Sequence, residues 1–314
     1  MKHLFIVNPV AGKKGSTDAL LEQIHRVCGG KQLDYEIRTT SGVGDACHIS
    51  RGAAETGGDV RIYACGGDGT LNEAVNGAAG YENAAITVLP KGTGNDFLKI
   101  FGKDCLHTFS DLDALVEGPQ TAFDLMDCNG KLGVGVTCAG VDARIADDVH
   151  KYKDWPLVTG MGAYILALIE NVFFKGIARR MQVRVNGAKY DEEFTILCVC
   201  NGRYYGGGFM PVGEAEPDDG VLNFLVVPKV SRFKFFRLVG VYAKGDYKKL
   251  PNDIFAKSGQ SVTFSSPLEI VAVVDGEVMR DKSFTLTLSH KKVNFFYPPN
   301  AHYRVKDREF AGAL

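Results

Sequence analysis

Residues 60–77 read VRIYACGGDGTLNEAVNG, an apolar run that ends in three glycines within four positions and passes at once into a helical pattern. That spacing predicts a strand over 60–65, a tight turn over 66–69 and a helix over 71–79. Gly66, Gly67 and Gly69 allow backbone N–H groups to turn toward an anion, and the helix beginning there adds the positive end of its dipole. Asp68 stands in the middle of this cradle. A carboxylate repels a phosphate unless a cation intervenes, so the economical ligand is a nucleotide whose phosphates carry Mg²⁺, sensed by Asp68 directly or through water. The bland alternative is a glycine-rich turn with no ligand.

The same alternation continues on both sides. Strands are predicted over 4–7, 35–38 and 86–89; helices over a run capped by Ser16 that carries Leu20, Leu21, Ile24 and Val27, over 43–55, and over 97–101. Strands alternating with helices imply parallel βαβ units, which place ligands at the carboxyl ends of the strands. Two further junctions fall there: Asn8-Pro9-Val10-Ala11-Gly12 after the first strand, and Lys91-Gly92-Thr93-Gly94-Asn95-Asp96-Phe97 after the fourth. Thr40 adds a hydroxyl at the same edge. No G-x-x-x-x-G-K-[ST], G-x-G-x-x-G, H-R-D or D-F-G occurs, which argues against P-loop, Rossmann and protein-kinase machinery.

After about residue 122 the texture changes. β-Branched and apolar runs at 132–136, 182–185, 195–199, 221–227, 261–264, 268–274, 283–288 and 292–297 predict a mainly antiparallel second domain, interrupted by helices over 158–174 and 232–242. A length of 314 residues suits one large or two ordinary domains, and 45% hydrophobic with 23% charged residues is the composition of a soluble globular protein. The net charge of −1 gives no basic field of the kind nucleic-acid binders use. Residues 155–169 carry no charge but are too few to span a bilayer, and they read as a buried helix. Eight cysteines without C-x-x-C spacing suggest reduced thiols in a cytosolic protein; Cys198 and Cys200, two apart on one strand face, are a metal or redox pair or simply buried. Between 229 and 249 stand seven basic residues and one acidic. On a helix Lys234, Arg237, Lys244 and Lys248 share a side, either an interfacial helix for anionic lipid or a solvated basic face over a core helix.

Residues 66–77 (GGDGTLNEAVNG), with 8–12 (NPVAG) and 91–97 (KGTGNDF), resemble the catalytic domain shared by diacylglycerol kinases and sphingosine kinases, most closely the soluble bacterial lipid kinases. The resemblance continues through Gly206-Gly207-Gly208, Asp218-Asp219-Gly220 and Val274-Asp275-Gly276-Glu277. It implies an α/β ATP-binding domain over 1–123, completed by the tail 300–314, and a β-sandwich lipid-substrate domain over 124–299. Carried across residue by residue, it assigns ATP contacts to Asn8, Pro9, Val10, Ala11, Gly12, Thr40, Gly66, Gly67, Asp68, Gly69, Thr70, Leu71, Asn72 and Thr93. Asp68 would act through Mg²⁺; Asp275 or Glu277 would be the general base for the lipid hydroxyl; Glu216, Asp219 and Val221 would hold a structural Mg²⁺. Where the family has an asparagine-containing strand before Gly-Phe-Asp-Ala, this chain has Val136-Thr137-Cys138-Ala139-Gly140-Val141-Asp142-Ala143.

The expected function is therefore transfer of the γ-phosphate of Mg·ATP to a lipid hydroxyl, diacylglycerol being the first choice, by a cytoplasmic enzyme that touches the membrane through 229–249. A homodimer is left open. A kinase of a soluble acceptor such as NAD and a non-catalytic nucleotide-binding regulator are the competing readings.

Overall fold

Runs that are apolar at nearly every position have no face for solvent and form the middle of a parallel sheet. β1 (Lys2–Val7), β3 (Val60–Gly66) and β4 (Ala84–Pro90) are buried along almost their whole length, whereas β2 (Asp34–Thr39) is half-exposed and lies at the edge. In this computed structural model, which describes residues 1–13, 15–91, 94–153, 155, 158 and 160–305, β1 pairs in parallel with β2 and β3, and β3 with β4. α1 (Ser16–Gly30), α2 (Asp45–Glu55) and α3 (Asp68–Ala78) are the crossovers. α1 starts one residue earlier than a Ser16 cap requires: Gly15, at φ 82, takes the N-cap and Ser16 N–H donates back to the Lys13 carbonyl at 3.0 Å. A 3₁₀ turn (Phe97–Phe101), α4 (Cys105–Ser110) and α5 (Leu112–Leu115) complete the stretch.

The chain divides into two compact units: Met1–Leu125 with Glu216–Asp219 and Ser289–Leu314, and Met126–Ala215 with Gly220–Leu288. This differs from the expected boundaries at 123 and 299. The first unit claims the chain from Ser289 because Asn294 and Phe295 pair in parallel with Ala85 and Ile86. Phe295 is also the centre of an aromatic cluster, its ring centroid 5.3 Å from those of Phe97 and Phe123, with Phe101, Phe109 and Tyr303 around it. Glu216–Asp219 joins the same unit, the Pro217 carbonyl accepting the Asp124 N–H at 2.6 Å. Residues 306–314 of the expected tail lie outside the described residues.

β5 (Gln120–Cys128) leads into the second unit, which is mainly antiparallel: β6 (Lys131–Gly133), β7 (Val136–Gly140), β8 (Arg179–Val185), β9 (Ala188–Cys200), β10 (Leu222–Pro228), β11 (Phe255–Gly259), β12 (Ser261–Val274) and β13 (Glu277–Phe296). β7 and β8 each bridge β9 to β12, at opposite ends of those long strands. Alternation along β9 then serves two cores. Leu197 and Val199 pack with Phe224, Phe264 and Phe284; Cys198 and Cys200 face Val136, Leu225 and three helices, α6 (Val141–Lys153), α7 (Gly160–Ile169) and α8 (Arg232–Tyr242).

Several expectations are corrected here. The strand over 132–136 is broken into β6 and β7. Those over 261–264 and 268–274 are one strand with a register shift between Ser265 and Ile270, and those over 283–288 and 292–297 are both parts of β13. The helix over 158–174 is α-helical from Gly160 to Ile169 and ends in a π turn, Glu170–Phe174. It is not buried all round: Ile165 is 47% and Ile169 41% exposed. α8 stops at Tyr242, with Gly245 at φ 72 just beyond, so Lys244 and Lys248 are not on its basic side. Among the described residues no helix is long and apolar enough to cross a membrane.

Candidate active site

At the carboxyl edge of the first unit the strand exits are tied by backbone bonds that outlast the strands. Asn8 N–H donates to the Cys65 carbonyl, Thr40 N–H to Val7, Lys91 N–H to Gly66 and Asp68 N–H to Gly94, at 3.0–3.1 Å. The predicted positions Asn8, Thr40 and 66–72 are thereby brought to one corner; Gly92 and Thr93 lie outside the described residues. The glycines earn their places by close approach more than by left-handed backbone, since none of Gly66, Gly67 and Gly69 has positive φ. A Cβ at Gly66 would meet Thr70 Oγ1 at 2.3 Å, one at Gly67 the Gly94 carbonyl at 2.7 Å, and one at Gly12, at φ 80, the Lys91 carbonyl at 2.0 Å. A Cβ at Gly69 would meet nothing within 4 Å.

α3 begins at Asp68, three residues earlier than its periodicity predicts, with Gly67 as N-cap and no side chain capping it. The N–H groups of Gly69 and Thr70 in that first turn have no acceptor among the described residues, which is the condition for anion capture at a helix N-terminus. Asp68 does not hang free above them. Its carboxylate accepts the N–H of Asp96 at 2.8 Å and that of Phe97 at 3.2 Å, clamping the loop after β4 to the start of α3. Asn8 closes an Asx turn on Val10 N–H and donates to Thr70 Oγ1 at 3.2 Å. Pro9, Val10 and Ala11 form the outer rim, Val10 being 87% exposed, whereas Leu71 and Asn72 are buried in α3.

Sequence reasoning left Lys91 out of the site. It is buried, and its ammonium donates to the Asn8 carbonyl at 3.0 Å and to Thr17 Oγ1 at 2.5 Å; burial lowers its pKa. The motif spelled out the residue, but nothing local told that it staples β4 to the loop after β1 and to α1. Glu73 is explained in the same way, its carboxylate accepting Ala46 N–H at the start of α2, and Gly77 lets α2 approach, a Cβ there falling 2.3 Å from the Cys47 carbonyl.

In the second unit, Asp275 and Gly276 join β12 to β13 by a two-residue turn with φ 46 and 90, the positive-φ pair a tight hairpin demands. The Asp275 carboxylate accepts three backbone N–H groups, from Val134 at 2.7 Å, Gly135 at 3.0 Å and Val136 at 2.9 Å. Gly133 and Gly135 make room for it. Glu277 is different: 39% exposed, it pairs with Lys131 Nζ at 2.6 Å. Farther along the same unit, burial raises the Asp142 pKa to about 6 even though Tyr205 Oη donates to it at 2.8 Å. Cys198 and Cys200 have their sulfurs 3.6 Å apart, both buried with free thiols, and burial raises the Cys200 pKa.

The predicted metal positions divide. Glu216 and Asp219 belong to the first unit and Val221 to the second. The Glu216 carboxylate accepts Val305 N–H at 3.1 Å. Asp218, beside them, holds Tyr303 Oη and Arg304 with one buried oxygen, while its other oxygen has no hydrogen-bond partner among the described residues. Among those residues no three His, Cys, Asp or Glu side chains are grouped to hold a metal. A Mg²⁺ held at these positions would have to draw largely on backbone oxygens, which a hard cation accepts.

Comparison with known proteins follows this division. The model of the diacylglycerol kinase catalytic domain matches residues 2–128, and that of the YegS C-terminal NAD kinase beta sandwich-like domain matches 135–296. A diacylglycerol kinase of Staphylococcus epidermidis is 28% identical over 282 residues, covering 87% of this chain and 84% of the relative. That of Bacillus subtilis (strain 168) is 26% identical, covering 87% and 88%. A crystal structure of a diacylglycerol kinase from Bacillus anthracis superposes with a TM-score of 0.67 at 21% identity, covering 96% of this chain and 98% of that one, and shares the fold. With both of its parts matched in chain order, this chain belongs to the diacylglycerol kinase catalytic-domain family.

Proposed function

We propose that this protein is an ATP-dependent lipid kinase that transfers the γ-phosphate of Mg·ATP to a lipid hydroxyl, with diacylglycerol as acceptor and phosphatidic acid as product. The observation that carries it is the first turn of α3, where the Gly69 and Thr70 N–H groups have no acceptor among the described residues and a Cβ on Gly69 would meet nothing within 4 Å. Asn8, Thr40 and the loop 66–72 frame the phosphates, and Thr93 completes the set. Mg²⁺ bound with the nucleotide would neutralise charge on the transferred phosphoryl group. Asp68, whose carboxylate oxygens accept N–H groups from the loop after β4, would meet it directly or through water.

Of the two carboxylates in the second unit, Glu277 is the base. Asp275 has its oxygens directed at three N–H donors, which hold it as an acceptor for the backbone and shape the loop between β6 and β7. Glu277 is only part-buried and is bound by one lysine, which supports its taking a hydroxyl proton late in a loose phosphoryl transfer. Asp219, with backbone oxygens of Glu216 and Val221, would hold a structural Mg²⁺. Residues 1–125 with the returning segment form the nucleotide part and the antiparallel unit the lipid part of a cytoplasmic enzyme.

The test is transfer of labelled γ-phosphate from Mg·ATP to diacylglycerol, phosphatidylglycerol and sphingoid base in mixed vesicles, with NAD as soluble control. Label in diacylglycerol is expected. Label in NAD alone overturns the lipid acceptor.

A further inference from the structure

Phenylalanine seldom stands clear of a core, and a cluster of exposed apolar side chains marks a contact surface. Four phenylalanines do so on one side of the second unit: Phe233 is 87%, Phe174 82%, Phe173 52% and Phe236 49% exposed. Ile165, Ile169 and Phe173 repeat at i, i+4 and i+8 along α7 and into the π turn that ends it. Phe233 and Phe236, three apart, sit on α8, whose inward side already seats Phe235, Leu238 and Tyr242. The outward rings are surplus to the core.

The two elements are fixed as one surface. Arg232 donates from Nε to the Val172 carbonyl at 2.7 Å and from Nη2 to the Phe173 carbonyl at 3.3 Å, satisfying the end of the π turn from the start of α8. The Phe173 and Phe236 rings lie 6.2 Å apart. Around this ridge basic side chains outnumber acidic ones, although Lys175, Arg180 and Lys234 each hold an acid. Lys175, Arg179 and Arg180 follow it directly, and Arg232, Lys234 and Arg237 share its second helix. The acidic side chains packed against these elements are matched by lysines: Glu170 by Lys151 and Lys175, Asp148 by Lys175, and Asp253 by Lys234.

We propose that this ridge docks the protein on an anionic bilayer surface, Phe174 and Phe233 entering the boundary between headgroups and acyl chains while Arg237 and its neighbours meet lipid phosphates. Apolar rings above a basic rim are what an interfacial element needs. A second copy of the chain is disfavoured as the occupant, since a two-fold contact sets each basic rim against itself. The proposal extends the lipid-acceptor reading by naming how the enzyme reaches its acceptor, and the lipid contact moves from the basic side of 229–249 to the aromatic ridge.

The experiment is sedimentation of the full chain with vesicles of equal parts phosphatidylcholine and phosphatidylglycerol, and with phosphatidylcholine alone, beside transfer to a water-soluble short-chain diacylglycerol without vesicles. Binding to the mixed vesicles is expected, with the double variant Phe174→Ser, Phe233→Ser weakening it by roughly tenfold or more. Arg237→Glu should weaken it about fivefold or more. Both variants should melt as the parent does and keep short-chain turnover. Equal binding by parent and double variant overturns the proposal, as does a parent dimer in sedimentation velocity that the double variant dissolves. Short-chain transfer without vesicle binding sinks the docking surface and leaves the kinase; vesicle binding without transfer to any lipid sinks the kinase and leaves the surface.

Discussion

Asp275 and Glu277 are two residues apart, and their surroundings ask opposite things of them. Glu277→Gln is expected to lower kcat by about a hundredfold or more while the KM for ATP stays within roughly twofold, because only the proton acceptor is lost. Asp275→Asn keeps the left-handed turn, which asparagine tolerates, but its amide NH₂ faces backbone donors, so stability should fall by about 1–3 kcal/mol. Steady-state kinetics and thermal melts on the pair separate these roles; a nearly normal kcat for Glu277→Gln would return the base to Asp275. His3 gives a second prediction. Burial lowers its pKa from 6.5 to about 4, so the unfolded chain binds the proton first. The stabilisation is complete above the unfolded pKa and is lost as pH falls toward 4, by up to about 3 kcal/mol. Asp142 runs the other way. Its pKa is raised to about 6, so its contribution is present at the acid end and lost as pH rises through that value. Denaturant midpoints across this range should show His3→Phe removing the acid-side loss and Asp142→Asn removing the opposite one.

At the scale of elements, α3 carries the sharpest test. Gly69 has room for a Cβ and no positive φ, so Gly69→Ala should melt at or above the parent temperature, alanine favouring the helix by up to about 1 kcal/mol. Its KM for ATP should nonetheless rise roughly tenfold, because the methyl group occupies the approach to the first-turn N–H groups. Gly12→Ala is the contrast: a Cβ 2.0 Å from the Lys91 carbonyl forces the loop to move, and both stability and nucleotide affinity should fall. An unchanged ATP KM in Gly69→Ala would remove the phosphates from this turn. Glycine spacing is a local signal, and that is why the strand exits and their corner could be read from the sequence. What could not be read depends on distant partners. Nothing near Lys91 says that its ammonium crosses to Asn8 and Thr17, and nothing near Asp275 says that three N–H groups await it. Ser265-Ser266-Pro267 looks like a turn between strands, but β12 continues through it by a shift of register. α6 escaped notice because its apolar stripe, Val141, Ile145 and Val149, is one residue wide among charged neighbours.

Over the whole molecule, sequence order and spatial order part company. The first unit is finished by residues 289–305, which supply Phe295 and Tyr303 to its aromatic cluster and a neighbour to β4. A fragment ending at residue 125 should therefore bind an apolar dye and lack a cooperative melt, and Phe295→Ala in the full chain should lower stability by about 3–5 kcal/mol. A cooperative, nucleotide-binding fragment would show the returning segment to be dispensable. The returning strand also sets an order in time. At roughly 5–20 residues per second, the ribosome has long released β1 to β4 before Phe295 emerges, so those strands wait on the order of ten seconds or more with one edge and part of one core open. A growing chain then has no complete first unit until residues 289–305 are made, and a translation product truncated before them is left without one.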